Sequence, residues 1–231
     1  MEMTQRIETI EQTSWPQILL DQIARMEGLI MISGSRQADP LNVVKAIRRQ
    51  HPDKKIIITD DLSAKKRNPE LDNADIIIYH GRCEKEAMLA ILDICEEGRL
   101  VVQILMAPSV VCGIHKVMTA LSGSEETHLL WRYVDQLSIM INQMQINGIH
   151  DVAITAHEMI LGTPQIKNLL LAKKISELEQ GLKEGQEDRG MVSFNQVLLK
   201  LLIRRKIDLK VAFLKTRDPE HLDQLLKKVG V

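Results

Sequence analysis

The sequence predicts an α/β protein with a mainly parallel sheet, an edge hairpin and a helical C-terminal extension. Five short apolar runs alternate with helical patterns over the first 160 residues, which is the order expected of a doubly wound sheet. The middle three runs are nearly continuous in Ile and Val. Such runs are typical of strands that are buried on both faces. After about residue 161 only helical patterns follow.

The individual elements follow from these patterns. The predicted strands are Gly28–Ser33, Lys55–Thr59, Ala74–His80, Arg99–Leu105 and Asp151–Thr155. The predicted helices of the core are Leu41–Gln50, Glu84–Glu97, Val110–Leu121 and a long helix over Glu125–Met144. Asn147-Gly148 separates two apolar runs, and this dipeptide predicts a hairpin turn.

The tail is predicted to contain four or five helices. Thr163-Pro164 and Asp218-Pro219 each place a capping side chain before a proline that suits the first helical position. A further helix is predicted over Phe194–Arg205, and the polar segment Gly181–Gly190 is predicted to be an exposed connection. The predicted organisation is therefore a segment 1–27, an α/β core 28–160 and a helical extension 161–231.

Composition limits the classes of function. The chain of 231 residues has 30 Lys and Arg against 31 Asp and Glu, a net charge of −1. Such a balance argues against a nucleic-acid binder or a polybasic membrane protein. No apolar stretch approaches the ~20 residues that span a bilayer, and the N-terminus lacks a signal-peptide pattern. Cys83, Cys95 and Cys112 form no C-x-x-C motif, so we expect a reduced, cytoplasmic environment.

The turn after the first strand has the layout of a phosphate-binding loop, which reads G-x-x-x-x-G-K-[ST]. Gly34 fits the first glycine, and Ser35 follows it. Asp39, Pro40 and Leu41 stand in place of the second glycine, the lysine and the hydroxyl residue. Asp39 introduces an anion, Pro40 offers neither charge nor N–H, and Leu41 cannot bind Mg²⁺. Asp39-Pro40 is also a good helix cap, so we expect this helix end to be capped internally.

Motifs in the C-terminal half resemble the PilT/GspE family of pilus and secretion motor ATPases. Residues 156–160, A-H-E-M-I, resemble that family's A-x-E-I-L, and residues 163–170, T-P-Q-I-K-N-L-L, resemble its T-P-A-I-x-N-L-I. Residues 190–196, G-M-V-S-F-N-Q, resemble G-M-Q-T-x-D-Q, and residues 218–222, D-P-E-H-L, resemble D-P-E-x-L. The resemblance covers nearly the whole chain and implies a RecA-like P-loop core.

The same resemblance implies that the motor chemistry has been lost. Residues 75–84 align with the family's Walker B stretch D-I-I-L-V-G-E-M-R-D, from Asp75 onward, and Gly81 takes the place of the catalytic Glu. Met106 takes the place of the histidine in the His box. Only Asp60 and Asp61 remain of the acidic box I-E-D-P. The 27 residues before the first strand leave no room for the family's N-terminal PAS-like domain.

The expected function is therefore that of a cytoplasmic pseudo-ATPase. It would be a regulatory or structural module of a type IV pilus, with its twitching motility, or of a secretion system. Its expected partners are a related motor ATPase, an inner-membrane platform protein that holds it peripherally at the membrane, or a second copy. No cofactor, metal, nucleic acid or direct membrane insertion is expected. The alternative is a divergent subunit that binds and hydrolyses ATP with Mg²⁺ in a mixed or homo-hexameric ring.

Several residues allow both a functional and a purely structural interpretation. Asp60 and Asp61 fit a remnant Mg²⁺ or water site, or, as we favour, a helix cap or solvated turn after a strand. Cys83 beside Arg82 fits a thiol of lowered pKa, or, as we favour, a small thiol that is buried or partly exposed. Four histidines could bind a metal together with Cys83 or Glu158, but they lack ligand spacing, so we favour surface or hydrogen-bonded core histidines: His80, His115, His150 and His157.

Two basic runs and one Met-bearing segment complete these alternatives. Lys65–Arg67 and Arg204–Lys206 fit nucleic-acid contacts, but without interleaved aromatic residues they are more typical of solvated faces. The Met-bearing segment Trp131–Met144, predicted as helix, fits a partner surface or, as we favour, packing against the sheet.

Overall fold

A sheet of seven strands organises the computed structural model, which describes residues 17–35, 42–62, 69–123, 126–149, 152–185 and 190–230. The strands are β1 (Gly28–Gly34), β2 (Ile56–Thr59), β3 (Ile76–Tyr79), β4 (Leu100–Met106), β5 (Leu137–Asn147), β6 (Ala153–Leu161) and β7 (Met191–Val192). Their spatial order is β2-β3-β4-β1-β5-β6-β7. The pairs from β2 to β5 are parallel, whereas β6 runs antiparallel to both β5 and β7. The prediction of a mainly parallel sheet is confirmed.

Helices cover both faces of this sheet and continue beyond it. The helices up to β5 are α1 (Gln17–Ala24), α2 (Val43–Gln50), α3 (Pro69–Asp72), α4 (Lys85–Glu96), α5 (Val110–Leu121) and α6 (Glu126–Gln136). Those after β6 are α7 (Pro164–Leu171), α8 (Ile175–Glu184), α9 (Phe194–Ile203), α10 (Leu209–Lys215) and α11 (Pro219–Val229). In the described part of the chain the extension thus has five helices, within the predicted number.

The core is aliphatic on both faces of the sheet. One face packs against α4, α5 and α6, and the other packs against α1 and α2. Every residue of β1 and β3 is buried, as expected for strands covered on both sides. The prediction is wrong for β2, which is an edge strand and leaves Ile58 44% exposed.

The predicted helix over Glu125–Met144 is wrong in its second half. Helix α6 ends at Gln136, and β5 begins at Leu137 and pairs with β1 on one side and β6 on the other. The spacing of Leu137, Met140 and Met144 fits a helix as well as a strand. Burial between two neighbouring strands favours the extended form, because it satisfies the backbone hydrogen bonds of both.

The predicted hairpin exists, and it is longer than expected. Asn147 pairs with Ala153 across its turn, while the outer strand runs to Leu161 instead of ending at Thr155. Asp151, the predicted start of that strand, lies outside the described residues. Strand β7 adds two further residues to this end of the sheet, although only helices were predicted after residue 161.

The helix caps in the tail agree with the sequence. Thr163 accepts a hydrogen bond from the Ile166 N–H at 3.4 Å, and Asp218 accepts one from the His221 N–H at 3.1 Å. The predicted connection Gly181–Gly190 is wrong at its start, because α8 continues to Glu184 and ends at Gly185, whose φ is +65°. Residues 186–189 lie outside the described part.

The tail helices pack directly on the hairpin. Their shared apolar cluster contains Ile146 of β5 and Ala156 of β6, together with Phe194, Leu198, Ile207, Ala212, Leu222 and Leu226. No helix in the described ranges has the length and apolar character needed to cross a membrane. The described extension is therefore built onto the sheet, with the β5–β6 hairpin as its base.

Candidate functional site

The carboxyl ends of four parallel strands form one edge of the sheet, and most of the predicted vestigial residues that the structure describes lie along it. Gly34 at the end of β1 pairs with Met106 at the end of β4. Thr59 at the end of β2 pairs with Tyr79 at the end of β3. Asp60, Asp61 and Gly81 follow these last two strands directly. This is the edge at which open α/β sheets bind their ligands.

Gly81 is closely packed at this edge. A Cβ atom on Gly81 would fall within contact distance of the Asp60 carbonyl oxygen and 2.5 Å from the Tyr79 hydroxyl oxygen. That hydroxyl donates a hydrogen bond to the Arg82 carbonyl at 2.6 Å. Burial raises the pKa of Tyr79 to about 12, so the phenol remains a neutral donor. Position 81, which aligns with the catalytic Glu of the family that the sequence resembles, therefore has no space for a side chain in this turn.

The acidic pair lies in a turn after β2. The Thr59 hydroxyl donates to the Asp61 carbonyl at 2.9 Å and accepts from the Asp61 N–H at 3.2 Å. The Asp60 side chain is exposed, and that of Asp61 is half-buried. Nowhere in the described ranges do three or more His, Cys, Asp or Glu side chains gather as metal ligands would. These contacts agree with the interpretation of a turn after a strand.

Met106 occupies the end of β4 with its side chain 48% exposed. A thioether has no proton to donate, unlike a histidine ring. The Met106 carbonyl accepts a hydrogen bond from the Lys116 ammonium group of α5. Ser109 then caps α5 by accepting from the Cys112 N–H at 3.0 Å. One cation near this edge is thus bound to the protein backbone.

Asp75 lies apart from the other predicted site residues. It precedes β3, at the amino end of that strand, and accepts hydrogen bonds from the Lys55 N–H at 2.9 Å and the Lys54 ammonium at 3.2 Å. These contacts, the Lys55 N–H first, hold its pKa below the usual value. The structure gives Asp75 a role in joining β2 to β3.

The phosphate-loop residues are described only in part. Gly34 is buried and Ser35 is exposed, whereas Asp39, Pro40 and Leu41 lie outside the described residues. The helix that follows begins at Val43, and Asn42 forms no side-chain cap there.

The remaining candidate residues differ in their surroundings. Burial raises the pKa of Cys83 to about 11, so its thiol is un-ionised at neutral pH, and its sulfur lies 3.7 Å from that of Met88. His157 is buried, and desolvation lowers its pKa to about 4. Arg204–Lys206 is exposed, while His150 and the run Lys65–Arg67 lie outside the described ranges.

The sequence indicated Glu158 only as a possible metal ligand and did not predict its role as a buried carboxylate that joins the core to the tail. Glu158 of β6 is 6% exposed. It accepts a hydrogen bond from the Val110 N–H at 3.0 Å and another from the Phe194 N–H. These are the first residues of α5 and α9, so one carboxylate satisfies N–H groups at two helix N-termini. Burial raises its pKa, against the lowering effect of these N–H groups and of Arg217. The signal in the sequence that could have indicated this buried position is the charged residue within the apolar run A-H-E-M-I.

Asn142 of β5 forms a second connection between the sheet edge and the tail. Its amide donates to the Ser33 hydroxyl at 2.9 Å and to the Ala107 carbonyl at 3.0 Å. Its oxygen accepts from the Arg217 guanidinium at 3.3 Å. That guanidinium lies 5.8 Å from the centre of the Phe194 ring. A cavity of about 140 Å³ adjoins this junction, with Glu158 and Arg217 in its wall.

The fold with this edge is that of RecA-like ATPase domains. A crystal structure of the pilus retraction motor PilT with bound ADP matches 93% of this chain and 68% of its own, with a TM-score of 0.78 and 17% identity. The Legionella pneumophila ATPase DotB matches 88% of this chain and 64% of its own, with a TM-score of 0.72 and 14% identity. These similarities define the class of the fold.

The amino-acid sequence is similar to that of one curated relative with the same fold. No protein-family profile matches the chain. The type IV pilus retraction ATPase PilT of Pseudomonas aeruginosa is 25% identical over 185 residues, which cover 79% of this chain. The matched region spans 54% of that relative's length. Sequence and fold thus agree that the chain is similar to secretion motor ATPases of the PilT/GspE type.

Proposed function

We propose that this protein is a catalytically degenerate member of the PilT/GspE family of secretion motor ATPases and acts by protein contact. It serves as a regulatory or structural module of a type IV pilus or secretion system, in the cytoplasm. The observation that carries this proposal is the packing of Gly81. The Asp60 carbonyl and the Tyr79 hydroxyl occupy the space that a side chain at this position would need. Without a carboxylate there, this chain offers no group at that position to orient an attacking water.

The other replacements support the same conclusion. Pro40 and Leu41 cannot supply the lysine and hydroxyl groups that hold phosphate and Mg²⁺. Met106 cannot donate a proton or hydrogen bond to a γ-phosphate. Each replacement alone would weaken phosphoryl transfer, and losing one transition-state donor costs about 3 kcal/mol. Together they support a protein that has kept the fold of a motor without its chemistry.

The second candidate is a subunit that still binds nucleotide within a mixed ring. The observation that favours it is the exposed Asp60 carboxylate at the carboxyl end of β2, on the ligand-binding edge of the sheet. A neighbouring, competent subunit would then have to supply the missing groups in trans, as arginine fingers do.

The proposed partner class is a related motor ATPase or an inner-membrane platform protein. The test adds the purified protein to a competent motor ATPase from the same cells and, in a second run, to the platform protein. We expect the two to elute together in size-exclusion chromatography and the motor's ATP turnover to change at least about twofold. An unrelated protein of similar mass and net charge is the control. Separate elution from both the motor and the platform protein, with unchanged turnover, would contradict the proposal.

A further inference from the structure

Positive charge is concentrated in one part of the tail, although the whole chain has a net charge of −1. Residues 200–217 contain seven Lys or Arg and one Asp, a net charge of +6. Four of these cations are exposed and lie at the turn between α9 and α10 or just after it: Arg204, Arg205, Lys206 and Lys210. No ion pair found within the described ranges involves any of the four.

Large apolar side chains are exposed beside these cations. Ile203 is 57% exposed, Leu209 50%, Phe213 37% and Leu214 73%. Leu209 and Phe213 are one helical turn apart, and so are Lys210 and Leu214, so all four lie on the outer side of α10. We call the exposed residues from Ile203 to Leu214 the basic corner.

The basic corner is fixed to the rest of the fold. Ile207 and Ala212 are buried in the cluster that joins the tail to the hairpin. The Lys206 carbonyl accepts a hydrogen bond from the Ile149 N–H at 2.9 Å, next to the hairpin turn. The exposed cations and apolar side chains are therefore presented from a packed framework, which reduces the entropy that docking would cost.

We propose that the basic corner docks the protein directly onto an anionic phospholipid surface. Lys and Arg beside such a surface are attracted to its headgroups, and the neighbouring aliphatic side chains enter the interfacial layer. This goes beyond the proposed function, because lipid contact requires neither a motor partner nor nucleotide.

The apolar side chains decide between lipid and the other polyanions. A nucleic acid would pair with the cations but would leave Ile203, Leu209 and Leu214 in water. Single-stranded binding usually relies on aromatic stacking platforms, and Phe213 is the one aromatic residue of the corner. An acidic protein would need a shape complementary to the cations and apolar groups together, whereas a lipid surface adapts to them.

The test is co-sedimentation of the full chain with lipid vesicles. We expect binding to phosphatidylcholine vesicles that contain about one third phosphatidylglycerol, and none to pure phosphatidylcholine. Raising the salt from about 0.1 M to about 0.5 M should release the protein, because salt screens the headgroup charge. The double variant Arg204→Glu/Arg205→Glu should lose at least about tenfold in vesicle affinity.

Two further variants separate the proposal from its competitors. Leu214→Ser leaves the charge unchanged and should weaken vesicle binding several-fold. Lys45→Glu/Arg48→Glu makes the same change of charge on the exposed side of α2 and should bind vesicles like the unmodified protein. Circular dichroism verifies folding, and Lys206→Glu/Lys210→Glu replaces the first pair if that pair unfolds.

Four results would overturn the proposal. They are the absence of binding to anionic vesicles, equal binding by both double variants, an unchanged affinity in Leu214→Ser, and tighter binding to a DNA oligonucleotide or to polyglutamate than to vesicles. Because none of these assays contains a motor or ATP, their failure is distinguishable from failure of the proposed function.

Discussion

Gly81→Glu is expected to destabilise the protein by about 3 kcal/mol without creating ATPase activity. The first side-chain carbon would meet the Asp60 carbonyl and lie 2.5 Å from the Tyr79 hydroxyl. To accommodate it, the turn after β2 would have to move and the hydrogen bond from Tyr79 to Arg82 would break. The free energy of unfolding in urea measures the effect.

Two control variants separate the steric effect of Gly81→Glu from the effect of its added negative charge. Gly81→Ala should already destabilise the protein measurably, because its Cβ meets the same atoms. The φ of Gly81 lies outside the left-handed region, so the loss would come from this contact and not from backbone strain. His80→Glu places a carboxylate on the exposed neighbouring residue and should change the free energy of unfolding by less than about 0.5 kcal/mol. If Gly81→Glu were as stable as the unmodified protein, this edge would be open and the closed-site interpretation wrong.

Glu158→Ala should cost about 3 kcal/mol of stability and loosen the tail from the core. The substitution leaves the N–H groups of Val110 and Phe194 without their buried acceptor, and each such loss costs about 1–3 kcal/mol. Hydrogen exchange should therefore accelerate first at these two amides, at the beginnings of α5 and α9. Urea unfolding gives the size of the loss.

The matched control is Glu158→Gln. Its amide oxygen can still accept one of the two hydrogen bonds, and the neutral side chain avoids the burial cost that raises the pKa of Glu158. We expect a loss of about 1 kcal/mol. Equal stability of the alanine variant and the unmodified protein would show that the junction does not hold the tail to the core.

Much of the fold could be predicted because local patterns and burial agree. Helix Val110–Leu121 begins and ends at the predicted residues, because Ser109 caps it and its apolar spacing fits the helical period alone. The prediction was wrong for residues 137–144 because their apolar spacing fits a helix and a strand equally well. Only the partners on either side, β1 and β6, decide between the two.

At the candidate site too, the sequence predicted some features, and others depend on contacts between distant residues. The parallel topology brings Gly34, Met106, Asp60 and Gly81 to one edge, as alignment with the family's motifs implied. That alignment also included Asp75, yet a residue before the strand lies at its opposite end. Packing around Gly81 and the two hydrogen bonds of Glu158 join residues distant in sequence, so no local pattern could indicate them.

ATP turnover by the purified protein is the measurement that decides whether the motor chemistry is absent, as we claim. We predict that phosphate release with Mg²⁺ and ATP equals the rate measured with EDTA in place of Mg²⁺. Turnover above that background which disappears in Asp60→Ala or Asp61→Ala would contradict the claim, because the acidic pair would then serve a working site.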